Sequence, residues 1–151
     1  MTRKEIISLF HKKITKEYSS GAECVFIKLN KQIGLKLYSS KFERNYAFRK
    51  QKQLIYYELA PPVYSKVCIP GFSIIKKSYS TYLKPSNKKI YGYTTEIVSL
   101  ANIESERFYS QFKKLSTKLD SIGLDCFDFH EGNVGYYKHK LVFIDFGPLS
   151  M

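Results

Sequence analysis

The strongest constraint on the fold lies in residues 125–147. Asp128 and Asn133 stand five residues apart in a glycine-containing segment, which favours a loop over a helix. Asp145 directly follows residues 140–144, a mostly apolar run that is typical of a buried strand. Two carboxylates and an amide in this order are the side chains that metal-assisted phosphoryl transfer uses. The sequence therefore predicts a hairpin that carries polar groups at its base.

The motif Asp128-x-x-x-x-Asn133, followed by Asp145-Phe-Gly, resembles the catalytic loop and metal-binding triplet of the protein-kinase-like superfamily. Its loop is more similar to that of aminoglycoside-phosphotransferase-like, atypical and small phage-type or bacterial kinases than to the eukaryotic form. The resemblance implies that Asp128 orients the acceptor hydroxyl, and that Asn133 and Asp145 hold Mg²⁺ on ATP. The alternative is a β-hairpin in which Asp128 and Asn133 only cap a turn.

The N-terminal part predicts a small antiparallel lobe of three strands, preceded at residues 4–12 by a short helix or a strand lead-in. Apolar residues that recur at helical spacing predict one helix after these strands, with Ser39 or Ser40 as its N-cap and Pro61-Pro62 as its end. The strands are expected at 14–18, 23–29 and 33–38, and the helix at 41–59.

The resemblance assigns phosphate contacts to this lobe. Ser20, Gly21 and Ala22 would form the loop that covers the phosphates, with an ordinary hairpin turn as the alternative. Lys36 resembles the lysine that pairs with the α- and β-phosphates. Lys28 has a similar local pattern and is the competitor, but choosing it leaves only residues 6–18 for two strands and a turn, which is tight, so Lys36 is preferred.

Two further positions follow from the resemblance. Glu43 is the candidate partner that holds Lys36 in place, although a first-turn glutamate favoured by the helix dipole explains it equally. Strand residues 90–98 would run into the hinge between the two lobes, where the main chain near Glu96 and Val98 would bind the adenine edge of ATP.

Apolar residues at helical spacing predict a long helix over residues 103–122, with Gly123 as its C-cap. In the family such a helix leads into the catalytic loop. We therefore expect a single α+β domain over residues 1–151, with a kinase-like small lobe and hinge at 1–97. A reduced helical lobe at 98–151 would end at the catalytic hairpin, without an activation segment.

Composition narrows the class of protein. The 151 residues are 44% hydrophobic, which is enough for a packed core, and no apolar run reaches the length of a membrane span. Three cysteines without metal-binding spacing predict reduced thiols and a cytoplasmic location. The net charge of +12 predicts an affinity for polyanions, and no nucleic-acid-binding motif accompanies it.

These observations predict an ATP- and Mg²⁺-dependent phosphotransferase, a minimal protein kinase that acts on a Ser, Thr or Tyr hydroxyl. The alternative is a pseudokinase-like module that captures a partner protein through its basic face. Transfer of the nucleotide moiety in place of phosphate is a third variant. A protein substrate or partner is expected, and nucleic acid is not.

Overall fold

A computed structural model describes residues 1–13, 18–20, 24–70, 89–100, 104–123 and 133–144. These residues form a mixed α+β domain with two antiparallel sheets and three helices. In chain order the elements are α1 (Arg3–Lys13), β1 (Tyr18–Ser20), β2 (Val25–Lys28), β3 (Ile33–Tyr38), α2 (Lys41–Tyr56), β4 (Val63–Pro70), β5 (Lys89–Glu96), β6 (Ser99–Leu100), α3 (Glu106–Ile122), β7 (Val134–Tyr137) and β8 (Lys140–Phe143).

The larger sheet has five antiparallel strands in the order β1-β2-β3-β5-β4. The prediction of three antiparallel N-terminal strands is confirmed, and β3 has the predicted bounds. The turn before β3 is fixed by Asn30, whose side-chain oxygen accepts hydrogen bonds from the N–H groups of Gln32 and Ile33 at 2.8 and 2.7 Å.

One face of this sheet is covered by α1. Thr2 and Glu5 form a capping box at its start, in which each side chain accepts from the backbone N–H of the other. Ile6 and Phe10 lie one helical turn apart and are buried against strand residues that include Leu35 and Leu37. The two alternatives for residues 4–12 are thus resolved in favour of a helix.

The other face is covered by α2, whose N-cap is Ser40. A second apolar cluster on this side joins α2 and β5 to α3 and the β7–β8 hairpin, through residues that include Tyr93, Phe108 and Phe143. The domain therefore has two cores, one on each side of the large sheet.

The prediction that α2 extends to residue 59 is wrong, because the helix ends at Tyr56. Glu58 has a positive φ of 59°, and the N–H of Leu59 turns back to the carbonyl of Leu54 at 2.8 Å. Leu59 is buried, and its carbonyl accepts from the N–H of Phe143 at 2.8 Å. Packing against the hairpin thus outweighs continuation of the helix.

The smaller sheet pairs β6 with β7 and β7 with β8. Helix α3 packs on it through Phe108, Leu115 and Leu119, with Ser105 as the N-cap and Gly123 as a left-handed C-cap at φ 68°. The predicted C-cap is confirmed. Across the described ranges, none of the helices is both long and apolar enough to cross a bilayer.

Candidate active site

The position of Lys36 is set by β3, which runs between β2 and β5. Its neighbours across the sheet are Phe26 and Tyr93, so the three side chains share one face. Lys36 is only 5% exposed. A buried lysine needs hydrogen-bonding partners to offset the cost of removing its charge from water.

One such partner lies on the hairpin. The Nζ of Lys36 donates a hydrogen bond to the carbonyl oxygen of Ile144, at the end of β8. Ile144 is the residue that precedes Asp145 in the chain. The strand lysine is thereby fixed to the segment that leads into the predicted metal-binding triplet.

Asn133 lies on the other side of the same residue. Val134 pairs with Phe143 at the base of the hairpin, and the N–H of Ile144 donates to the carbonyl of Asn133 at 2.9 Å. Asn133 is 9% exposed. Ile144 is therefore held through its carbonyl by Lys36 and through its N–H by the carbonyl of Asn133, so strand β3 meets the two ends of the β7–β8 hairpin at one residue.

The competing lysine occupies a different environment. Lys28 is exposed at the end of β2, opposite Gly34. Gly34 is required on that face, because a Cβ there would approach the Phe26 ring to 2.2 Å. The burial of Lys36 and its bond to the hairpin favour it over Lys28 as the phosphate-binding candidate.

Glu43 lies in the first turn of α2, where its N–H donates to the Ser40 hydroxyl at 3.1 Å. Burial raises the pKa of the Glu43 carboxyl, whereas a paired ammonium group would lower it. A pair between Glu43 and Lys36 stays a prediction.

Arg44 and Gln51, on the sheet-facing side of α2, are two buried polar residues that the sequence did not single out. The Nη1 of Arg44 donates to the carbonyls of Val67 and Gly92 at 3.1 and 2.9 Å. Gln51 donates to Thr95 and accepts from the Tyr93 hydroxyl, both at 2.8 Å. These bonds fix α2 on the sheet that carries Lys36. The only sequence signal for these buried polar groups was Gln51, a polar residue between apolar ones on one helix face.

The predicted hinge follows β5. The N–H of Glu96 donates to Pro62 at 3.1 Å and that of Ile97 to Gln32 at 2.8 Å, so these two amides are already bonded within the protein. Val98 lies against the hairpin, because a Cβ on Gly135 would approach its Cγ2 to 2.6 Å. The hinge and the hairpin are therefore in contact, and adenine binding at Glu96 and Val98 stays a prediction.

The side chain of Glu96 forms a cluster of its own. Its Oε1 accepts from the Nε2 of Gln32 at 2.5 Å, while Oε2 meets no described donor in full hydrogen-bond geometry. The hydroxyls of Tyr137 and Tyr64 also interact with the Glu96 carboxylate, outside that geometry. Burial works to raise the pKa of Glu96, but the interactions with Tyr137, Gln32 and Tyr64 outweigh it, and the pKa is lowered. In return, Glu96 raises the pKa of Tyr137 to about 12.

The remaining predicted residues are placed only in part. Ser20 ends β1 opposite Val25, so the turn starts later than the sequence suggested. Gly21, Ala22, Asp128 and Asp145 lie outside the described residues. Among the described residues no three His, Cys, Asp or Glu side chains come together as a metal site. Asn133 fits a metal-binding role because its side chain has an amide oxygen and its backbone is bonded to Ile144, the residue before Asp145.

A comparison with protein-family models, curated proteins and solved structures gives no match. The function is therefore inferred from the residues and their arrangement.

Proposed function

We propose that this protein is an ATP- and Mg²⁺-dependent phosphotransferase of the kinase-like type, which transfers the γ-phosphate of ATP to a Ser, Thr or Tyr hydroxyl of a protein. The observation that carries the proposal is the double attachment of Ile144, to Lys36 through its carbonyl and to Asn133 through its N–H. The resemblance nominated Lys36, Asn133 and Asp145, and the fold brings Lys36 and the carbonyl of Asn133 to the residue that precedes Asp145.

Each residue has a role in this reaction. Lys36 contributes a positive charge from the sheet that would bind ATP phosphates. Asn133 and Asp145 would hold Mg²⁺, which when bound neutralises charge on the phosphates. Asp128 would take the proton of the acceptor hydroxyl. The acceptor oxygen would then bond to the γ-phosphorus as the bond from that phosphorus to ADP breaks. Fixed positions at Lys36 and Asn133 suit such a reaction, since its catalysis depends on positioning and charge.

The test is transfer of radiolabelled γ-phosphate from ATP, in the presence of Mg²⁺, to the protein itself or to a generic protein substrate. The proposal expects incorporation by the wild type that depends on Mg²⁺ and falls by at least about 100-fold in Asp145→Ala. Equal incorporation by both proteins, or none by the wild type with any acceptor tried, would contradict it. Label from α-labelled ATP would indicate transfer of the nucleotide moiety.

A second candidate function is capture of an acidic partner protein, and it is favoured by the exposed side of α2. The Nζ atoms of Lys52 and Lys66 lie 5.2 and 4.8 Å from the centre of the Phe48 ring. Burial and repulsion by neighbouring cations lower the pKa of Lys66. In the part of the chain that the structure describes, neither lysine forms an ion pair. The repelling neighbours are Arg44, Lys52, Lys41 and Arg49.

Exposed aromatic residues accompany this charge. Phe42 and Tyr56 are 70% and 82% exposed near the two ends of α2. Exposed rings and unpaired cations on the same helix and the adjoining strand suit a partner with both acidic and apolar side chains, because such a partner neutralises the repulsion and covers the rings. Under this candidate function, the outer side of α2 and the adjoining part of β4 would serve as the basic face.

This candidate is tested by the affinity for a synthetic peptide rich in Glu and Phe, measured by fluorescence anisotropy. Lys52→Glu combined with Lys66→Glu should weaken binding at least tenfold, whereas Lys113→Glu on α3 should leave it unchanged. Binding that is insensitive to the paired substitution, or tighter binding to single-stranded RNA than to the peptide, would count against it. An Asp145→Ala protein should bind the peptide as the wild type does.

A further inference from the structure

A cavity of about 560 Å³ lies where the β7–β8 turn meets the start of α3. Its volume is within the range of small-ligand sites. Among the described residues that line it, three side chains carry basic groups and none is acidic. The lining residues are Ser99, Ser105, Arg107, Tyr136, Lys138 and His139.

The turn that supplies two of these basic residues has an unfavourable backbone. Tyr137 pairs with Lys140, so Lys138 and His139 are the two residues of a tight hairpin turn. Their φ angles are 48° and 66°. Turns of this kind prefer Asn-Gly, because side chains other than Asn and Asp are disfavoured in the left-handed region. Two bulky basic residues at such positions point to a function that offsets the conformational cost.

The walls of the cavity are fixed before any ligand binds. The Tyr136 hydroxyl donates to the Oε1 of Gln111 at 2.5 Å, and the Ser99 hydroxyl donates to the carbonyl of Tyr136 at 3.3 Å. The Ser105 hydroxyl accepts from the N–H of Phe108 at 3.0 Å. The charge of Lys138 also acts on Glu96, which does not line the cavity. Arg107, Lys138 and His139 all line this space, and the Nζ of Lys138 lies 5.4 Å from the centre of the Tyr137 ring.

We propose that this cavity binds a phosphate-bearing ligand, with Arg107, Lys138 and His139 as its charged contacts. The guanidinium of Arg107 suits two phosphate oxygens at once, and Lys138 supplies a second positive charge for a dianion. The contacts on the hairpin turn are separate from the metal end of the proposed transfer site, because four strand residues, roughly 13 Å, lie between the turn and Asn133.

The experiment is an NMR titration of the uniformly ¹⁵N-labelled protein with inorganic phosphate at constant ionic strength. The proposal expects saturable shifts of the Lys138 and His139 amides. Arg107→Ala should weaken this binding at least tenfold, while Lys113→Ala, an exposed lysine on the same helix, should not change it. Unsaturable shifts in the wild type, or equal affinity in Arg107→Ala, would overturn the proposal.

A second variant separates binding from folding. Replacing Lys138 by Asn and His139 by Gly installs the preferred turn, so Tm should rise by about 2–4 °C while phosphate affinity falls at least tenfold. A more stable protein that binds phosphate as tightly as the wild type would also overturn the proposal. Lys36→Met should keep these shifts, so loss of phosphotransfer and loss of this site can be told apart.

A phosphoserine peptide and a small phosphorylated sugar, titrated in the same way, distinguish the source of the group. Tighter binding of the peptide indicates a phosphorylated protein as the ligand. Tighter binding of the sugar phosphate indicates a metabolite. Failure of both to compete with inorganic phosphate would contradict the assignment of a phosphate-bearing ligand.

Discussion

The ammonium group of Lys36 is bonded to the carbonyl oxygen of Ile144, although the two residues are 108 positions apart in the chain. The first belongs to the central part of the large sheet and the second ends the hairpin of the small sheet. This bond joins the two sheets at the point where the chain enters Asp145. Substitutions at Lys36 and at the residues that hold this part of the fold test the account.

The first prediction concerns Lys36 itself. Lys36→Met keeps most of the side-chain volume but removes the ammonium group, so it should lower phosphotransfer at least about 100-fold. Far-UV circular dichroism should remain that of the wild type, since strand β3 keeps its neighbours. The rate is measured with γ-labelled ATP and Mg²⁺.

Lys28→Met is the matched control, because Lys28 is an exposed lysine on the adjacent strand. It should leave the rate within about twofold of the wild type, as expected for a surface substitution. If Lys28→Met abolished transfer and Lys36→Met did not, the assignment of the phosphate-binding lysine would be reversed.

The second prediction concerns the anchoring of α2. Arg44→Lys keeps the charge but loses the guanidinium that bonds two strand carbonyls, and it should lower the free energy of unfolding by about 1–3 kcal/mol. Urea denaturation measures the change. Arg49→Lys, on the exposed side of the same helix, should shift the free energy by less than about 0.5 kcal/mol. Equal effects of the two substitutions would show that the buried bonds add nothing.

The third prediction concerns the ionisation of Tyr137. Hydrogen bonding to Glu96 is the main cause that raises its pKa to about 12, and burial and the negative charge of Glu96 add to it. Glu96→Gln removes the charge, so Tyr137 should ionise nearer the ordinary value of 10.0. The titration is followed at 295 nm as the difference between proteins with Tyr and Phe at position 137. An unchanged titration in Glu96→Gln would contradict the interaction.

The fourth prediction concerns stability against pH. Because the pKa of Glu96 is lowered by folding, its contribution is present above the ordinary value of 4.5 and is lost as the pH falls below it. Because the pKa of Tyr137 is raised, its contribution is present below 10.0 and is lost as the pH rises towards about 12. The difference in Tm between the wild type and Glu96→Gln should therefore be largest between these limits. A Tm difference between the two proteins that does not change with pH would argue against the interaction of Glu96 with Tyr137.

Much of the fold could be predicted from local patterns. Strand β3 was predicted from its alternation and its preceding turn, and α3 from its apolar spacing and the glycine at its end. The end of α2 could not, because Leu59 leaves the helix to meet Phe143, a residue far away in the sequence. The burial of Arg44 is equally non-local, since its partners are main-chain carbonyls that no side-chain pattern reveals.

The candidate site divides in the same way. Counting strands was enough to prefer Lys36 over Lys28, because the choice of Lys28 left little room for two earlier strands. The contact between Lys36 and Ile144 depends on how the two sheets pack, which local sequence does not encode, whereas Asn133 and Ile144 are brought together by the register of the hairpin itself. Tyr137 and its effect on Glu96 were missed because the two residues belong to strands of different sheets, β7 and β5, which no local pattern relates.

The most direct measurement of the central claim is calorimetric titration of a non-hydrolysable ATP analogue with and without Mg²⁺. The wild type should bind the nucleotide, and Mg²⁺ should tighten binding at least tenfold. Asp145→Ala should lose that gain, and Lys36→Met should bind more weakly under both conditions. A wild type that fails to bind, or that binds equally with and without Mg²⁺, would contradict the proposal that Lys36, Asn133 and Asp145 form a magnesium–nucleotide site.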